Sequence, residues 1–162
     1  MAIAKLYTIG YEGASVADLV AALQAAGVRR LIDIRYSPYS RRDVFSREAL
    51  APALVNYGIA YEHVRSLGNP PAGREAARLG HKAVYREIFT AHLDGQDAQE
   101  GLRQVLTLAR TEPVCLMCLE RSARHCHRSM VAERLAQMSG LEVEHLQISR
   151  NSPHPGQSAF DF

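Results

Sequence analysis

Val114-Cys-Leu-Met-Cys118 is an unbroken apolar run, and Ser129-Met-Val-Ala-Glu-Arg-Leu135, eleven positions on, has the spacing of a helix. The first reads as a strand. Between the two lies Cys118-Leu-Glu120-Arg-Ser-Ala-Arg124-His-Cys126-His127-Arg128, so a thiol, a carboxylate, three arginines, a second thiol and two imidazoles crowd one strand-to-helix turn. Strand C-terminal ends and helix N-terminal ends are where α/β proteins hold anions. This stretch therefore points to both a fold class and a site.

The rest of the chain repeats the alternation. Lys5-Leu-Tyr-Thr-Ile9 reads as a first strand, with Gly10 permitting a sharp exit. Ser15 is placed as the N-cap of a helix, and Asp18 completes a short capping box. Val16, Leu19, Val20 and Leu23 give that helix its apolar stripe, and Gly27 ends it. Arg30-Leu-Ile-Asp-Ile34 is a second strand, followed by a polar, Arg-rich loop over residues 36–44. Ser46 caps a helix running to about Tyr57, with Pro52 marking a kink or a late start. Ile59-Ala-Tyr-Glu-His-Val64 is a third strand. Residues 66–80, with Gly68-Asn-Pro-Pro71 and Gly73, read as a long loop, of a length that is usually functional or mobile. Helices are expected at 81–94, 97–110 and 127–139, and a fifth strand at 142–148. Residues 1–150 then make one domain, and 151–162 an irregular tail.

Strands alternating with helices imply an α/β fold, a Rossmann-like three-layer domain with a mainly parallel sheet of about five strands. The expected order is 3-2-1-4-5. Its reversal falls between the first and fourth strands, where ligands of such folds bind. That order brings Gly10-Tyr-Glu12 beside residues 118–128 and leaves Asp33-Ile-Arg35 one strand away.

Composition narrows the setting. At 162 residues the chain can build one sizeable core, and its 47% hydrophobic content is ordinary. No apolar run approaches the roughly 20 residues that span a bilayer, so no membrane partner is expected. No signal peptide is visible ahead of the first strand. The three cysteines lie within twelve positions, unlike a secreted disulfide framework, so a cytoplasmic setting is expected. Net charge is only +2, but 17 of the 19 basic residues are arginine, and the segment from Arg35 to Arg86 alone carries +5. Arginine pairs bidentately with phosphate or carboxylate, although any single arginine also serves on a solvated face.

Several chemistries fit the cluster. On a strand, Cys115 and Cys118 point to opposite faces, which makes Cys115 a core residue and leaves Cys118 sharing a parity with Glu120. Cys118 at a strand end, or Cys126 at a helix N-terminus, would have its thiolate stabilised by the helix dipole and by Arg121, Arg124 or Arg128. Cys118 and Arg124 also give the C-x5-R spacing of cysteine phosphatases, without the glycines of that loop. Zinc is a further candidate, with Cys118, Cys126 and His127 as ligands and Glu120 or His125 as a fourth. Glu120 serves as general acid or base, or as counter-ion to the arginines. Asp33 and Arg35 form a structural ion pair or orient a ligand. The mixture of Tyr36, Tyr39, Ser40, Arg41, Arg42 and Arg47 suits a phosphate or nucleic-acid backbone, and equally a solvated loop.

These residues resemble a bacterial and archaeal family known as domain of unknown function 488, over nearly the whole chain from Leu6 to Ile148. The matching pieces are Thr8-Ile-Gly10-Tyr11, Ile32-Asp33-Ile34-Arg35, Pro38-Tyr-Ser-Arg41, Phe45, Gly58-Ile-Ala-Tyr61 and Leu67-Gly68. To these the chain adds Leu116-Met-Cys118-Leu-Glu120 with Cys126-His127-Arg128, the hallmark Cys-x-Glu followed by Cys-His-Arg. The family often carries His where this chain has Tyr11. The resemblance implies a Rossmann-like fold and a shared site. A weaker likeness runs to rhodanese-type sulfurtransferases, through Leu31-Ile-Asp-Ile-Arg35 and the Cys118 strand with its helix, but without their small Gly/Ser-rich loop.

The reading that follows is an enzyme with a thiol–arginine anion site, a cysteine-dependent transferase or hydrolase acting on a phosphate- or sulfur-bearing substrate, with a nucleotide or nucleic acid included. Cys118, Glu120, Cys126 and His127 are its expected reactive groups. Gly10, Tyr11, Asp33, Arg35, Tyr39, Arg41 and Arg128 are its expected anion-binding set. A non-catalytic nucleic-acid-binding module and a structural zinc site are the alternatives.

Overall fold

The computed structural model describes residues 5–149. The tail expected over 151–162 lies outside the described residues. Five parallel strands form one sheet: β1 (Lys5–Gly10), β2 (Arg30–Asp33), β3 (Ala60–His63), β4 (Val114–Cys118) and β5 (Glu142–His145). Six helices connect them: α1 (Val16–Ala25), α2 (Arg47–Val55), α3 (Pro71–Arg78), α4 (Lys82–Asp94), α5 (Gln96–Ala109) and α6 (His127–Ser139). Among the described residues no helix is long and apolar enough to cross a membrane.

Both sheet faces are covered, and the period of two along the strands sorts the core into two halves. Leu6, Ile32, Leu116 and Cys118 pack with Phe89 of α4, Leu102 of α5 and Val131 of α6. Ile9, Leu31, Cys115 and Met117 pack on the other face with Leu19 of α1 and Leu50 of α2. Cys115 is thus a core residue on the face opposite Cys118, as its parity requires. The capping box at α1 is present in full: the Asp18 amide donates to Ser15 Oγ at 3.0 Å and the Ser15 amide to Asp18 Oδ2 at 3.2 Å.

The strand order is β3-β2-β4-β1-β5, so the expected 3-2-1-4-5 is corrected by an exchange of β1 and β4. Burial accounts for it. Every residue of β4 is buried, whereas Lys5 and Tyr7 of β1 are partly exposed and β5 is exposed along most of its length. The most apolar strand takes the centre, and β1 sits between it and the polar edge. The long loop expected over 66–80 is also corrected. It contains a 3-10 turn over Arg65–Leu67 and then α3. Pro70 and Pro71 start that helix, because proline at the first helical position lacks only an amide that would have had no partner.

Candidate functional site

With β4 at the centre, both its neighbours end beside it. Gly10 is opposite Cys118 and Asp33 is opposite Met117. The chain leaves β1 and β2 toward the α1/α2 face and leaves β4 toward the α6 face. Asp33 is therefore adjacent to the thiol strand rather than one strand away. Pairing continues past the strand ends: the Tyr11 amide donates to the Cys118 carbonyl at 3.3 Å, Glu12 to Leu119 at 2.8 Å, and Ile34 to Met117 at 3.1 Å.

The turn after β4 folds back so that Cys126 becomes the N-cap of α6. Its Sγ accepts the Arg128 amide at 3.3 Å and lies 3.2 Å from Cys118 Sγ. The Arg128 side chain is 1% exposed. Its Nη1 donates to Cys118 Sγ at 3.4 Å and to the Glu120 carbonyl at 2.9 Å, while its buried Nε has no hydrogen-bond partner. Among the described residues no carboxylate comes within 4.0 Å of this guanidinium. A buried cation needs a counter-charge, and here the groups beside it are thiols. The Cys118 hydrogen bond, the Arg128 charge and the helix N-terminus bring Cys126 down to about 7. Burial drives Cys118 the other way, above the ordinary thiol range. The two environments therefore favour ionisation of Cys126 over Cys118. Arg124, the arginine of the C-x5-R spacing, is exposed, and it is Arg128 that meets the thiols.

Glu120 and His127 join Cys118 in lining a cavity of about 240 Å³. Burial, with Cys126 and Glu12 nearby, raises the Glu120 carboxyl to about 7. It makes no ion pair within 4.0 Å among the described residues, while the Arg128 charge opposes part of the rise. The His127 Nε2–H donates to the Ile34 carbonyl at 2.8 Å, which fixes the tautomer because a carbonyl can only accept. Burial lowers His127 to about 4, so the imidazole is neutral at pH 7.

Tyr11, Arg35, Tyr39, Tyr36, Ser37, Asn69, Arg74 and Leu119 complete the wall. Arg35 is held within the protein. Its Nε and Nη2 fork onto Asp33 at 2.8 and 2.6 Å, and Nη1 donates to Tyr11 Oη at 3.1 Å. Asp33 is fully buried and also accepts the Tyr61 hydroxyl. The Tyr11 ring stacks on Phe45, 4.4 Å between centroids. Arg41 is exposed and outside the lining. Gly10 contributes a close approach, since a Cβ there would stand 1.7 Å from the Glu120 carbonyl oxygen. Arg74 was not legible as a site residue, because its helix read as loop. It flanks the Tyr36 ring at 5.1 Å, opposes no carboxylate among the described residues, and faces the thiol cavity.

Among the described residues no three His, Cys, Asp or Glu side chains converge on a position that could hold a metal ion. Of the set Cys118, Cys126 and His127, the two sulfurs lie against each other, Cys118 Sγ accepts from Arg128, and the His127 ring donates to the Ile34 carbonyl.

A family model described as domain of unknown function DUF488 matches residues 15–135. No curated protein and no solved structure matches the chain.

Proposed function

Since the chain belongs to the DUF488 family, whose model carries no activity, its chemistry has to be read from the site, and we propose that it is a cysteine-dependent transferase or hydrolase acting on an anionic, phosphate- or sulfur-bearing substrate. The observation that carries this reading is the buried Arg128 guanidinium, which has thiols rather than a carboxylate beside it. Such a charge stabilises a thiolate, and a thiolate is the reactive form of cysteine.

Cys118 is the nucleophile, because it lines the cavity. Cys126, 3.2 Å away, takes its proton as it attacks. Arg128 compensates the negative charge on whichever sulfur bears it. Glu120, held half-protonated near neutrality, delivers a proton to the leaving group. Arg74 receives the anionic end of the substrate, and Arg35 with Asp33 keeps Tyr11 and the cavity wall in place.

The test is thiol alkylation followed over pH, with turnover screened on aryl phosphate and thiosulfate. One thiol should react with an apparent pKa near 7, Arg128→Gln should raise that value, and Cys118→Ser should abolish turnover. Uniformly slow thiols would overturn the reading. So would salt-sensitive polyanion binding that Cys118→Ser leaves intact, which would make the protein a nucleic-acid-binding module.

A further inference from the structure

Two thiols in hydrogen-bond contact are more than one nucleophile requires. A second sulfur at 3.2 Å can act as a base, but it is also placed to attack Cys118 Sγ once that atom carries a sulfur leaving group. The second thiol favours sulfur over phosphorus at this position, because a neighbouring thiolate can resolve a persulfide as a disulfide. A phosphoryl group on a thiol needs donors around its oxygens. In the turn after Cys118, the Arg121 amide is already committed to the Glu12 carboxylate, and the Glu120 carbonyl is turned toward Arg128. Each side-chain nitrogen of Arg35 already donates within the protein, and Arg128 is not part of the cavity lining. On the cavity wall Arg74 is the cation without a carboxylate partner among the described residues, suited to the anionic tail of a donor.

We propose, building on the thiolate reading above, that Cys118 takes a sulfane sulfur from an anionic donor and that Cys126 resolves the resulting persulfide, releasing sulfide and closing a Cys118–Cys126 disulfide. In the first step the Cys118 proton passes to the Cys126 thiolate and Cys118 Sγ attacks the outer sulfur of the donor. With thiosulfate, the S–S bond breaks and sulfite leaves with its electron pair, giving Cys118–S–S⁻ and Cys126–SH. In the second step the Cys126 proton moves to the terminal sulfur. The Cys126 thiolate then attacks Cys118 Sγ, and HS⁻ departs. The sulfane sulfur is reduced by two electrons and the dithiol is oxidised by two. A small thiol, two equivalents per cycle, returns the pair to its reduced form and is itself oxidised to a disulfide. Cys115, on the opposite face of β4, takes no part.

The experiment mixes reduced protein with thiosulfate without air, quenches with an alkylating reagent, and reads intact mass together with sulfite and sulfide. Wild type should release one sulfite and one sulfide per chain and, apart from any alkyl group on Cys115, become about 2 Da lighter. Peptide mapping should then join Cys118 to Cys126 and leave Cys115 alkylatable. Cys126→Ser, whose hydroxyl preserves the helix cap but removes the base, should release sulfite more slowly than wild type and without sulfide, and hold about 32 Da of extra mass as a persulfide on Cys118. Sulfide release from Cys126→Ser equal to wild type, or a wild-type persulfide that persists, would overturn the resolving role. Should wild type release no sulfite while Cys118 still alkylates rapidly near neutral pH, the sulfane donor is wrong and the thiolate reading stands. Slow alkylation of Cys118 would remove both. If the variant fails to fold, mapping of the wild type alone decides, since a free Cys126 after sulfite release contradicts the proposal.

Discussion

A methyl group on Gly10 would stand 1.7 Å from the Glu120 carbonyl oxygen and 2.5 Å from Arg128 Nη1. Both atoms belong to the bond that holds the guanidinium beside the thiols, so the missing side chain is a requirement of the site. Gly10→Ala should cost about 3 kcal/mol in urea unfolding, the range of an overpacked core. By displacing Arg128 it should also raise the apparent pKa of the reactive thiol. Glu120 gives a second prediction at this scale. Activity needs a thiolate on the pair and a proton on Glu120, and both groups titrate near 7. The rate should fall below neutrality as Cys126 takes up its proton and above it as Glu120 loses its own, a narrow bell in kcat/KM. Glu120→Gln should abolish the alkaline limb and lower the maximum about 100-fold. A bell unchanged in Glu120→Gln would assign that limb elsewhere.

Among the elements, α6 and α3 show what spacing reveals and what it hides. The α6 N-terminus was legible because its chemistry is contiguous: Cys126, His127 and Arg128 are successive residues, and a helix start fixes where each points. That Arg128 rather than Arg124 meets Cys118 was not legible, because it depends on how the turn returns Cys126 to the thiol strand. In α3 the signals conflicted. Pro70, Pro71 and Gly73 mark a loop when read singly, yet Pro71 begins the helix and Gly73 is packed so closely that a Cβ would stand 2.1 Å from Asn69 Oδ1. That helix brings Arg74 to the cavity, where its contact with the Tyr36 ring orients it without neutralising it. Arg74→Ala should therefore raise KM for an anionic substrate about tenfold, the equivalent of 1.4 kcal/mol. The kcat and the rate of thiol alkylation should be unchanged, a split that a merely structural Arg74 would not produce.

For the whole molecule, the alternation of strands and helices disclosed the layers and the parallel sheet, while the exchange of β1 and β4 depended on which strand is apolar on both faces, a comparison between strands that no local pattern contains. The exchange matters because it sets Gly10 and Asp33 on either side of β4, so that one thiol strand collects groups from both neighbours. The same convergence gives the protein a distinctive response to acid. His127, packed against Phe89 and facing Arg128, Asp33 and His92, is lowered from 6.5 to about 4, so the unfolded chain takes up its proton first and stability falls as pH drops from 6.5 toward 4. Glu120, beside Cys126, Glu12 and Arg128, is raised from 4.5 to about 7, so the folded chain takes up its proton first and stability rises as pH drops from 7 toward 4.5. Each effect is worth roughly 2 kcal/mol after allowance for partial exposure, and across pH 4.5–6.5 they oppose each other. Single substitutions should separate them in urea unfolding measured against wild type at each pH. His127→Gln should gain on wild type by roughly 2 kcal/mol as pH falls from 6.5 to 4, and Glu120→Gln should lose ground by a similar amount between pH 7 and 4.5. Parallel curves for either variant would show that its side chain does not titrate in the folded site as its burial requires.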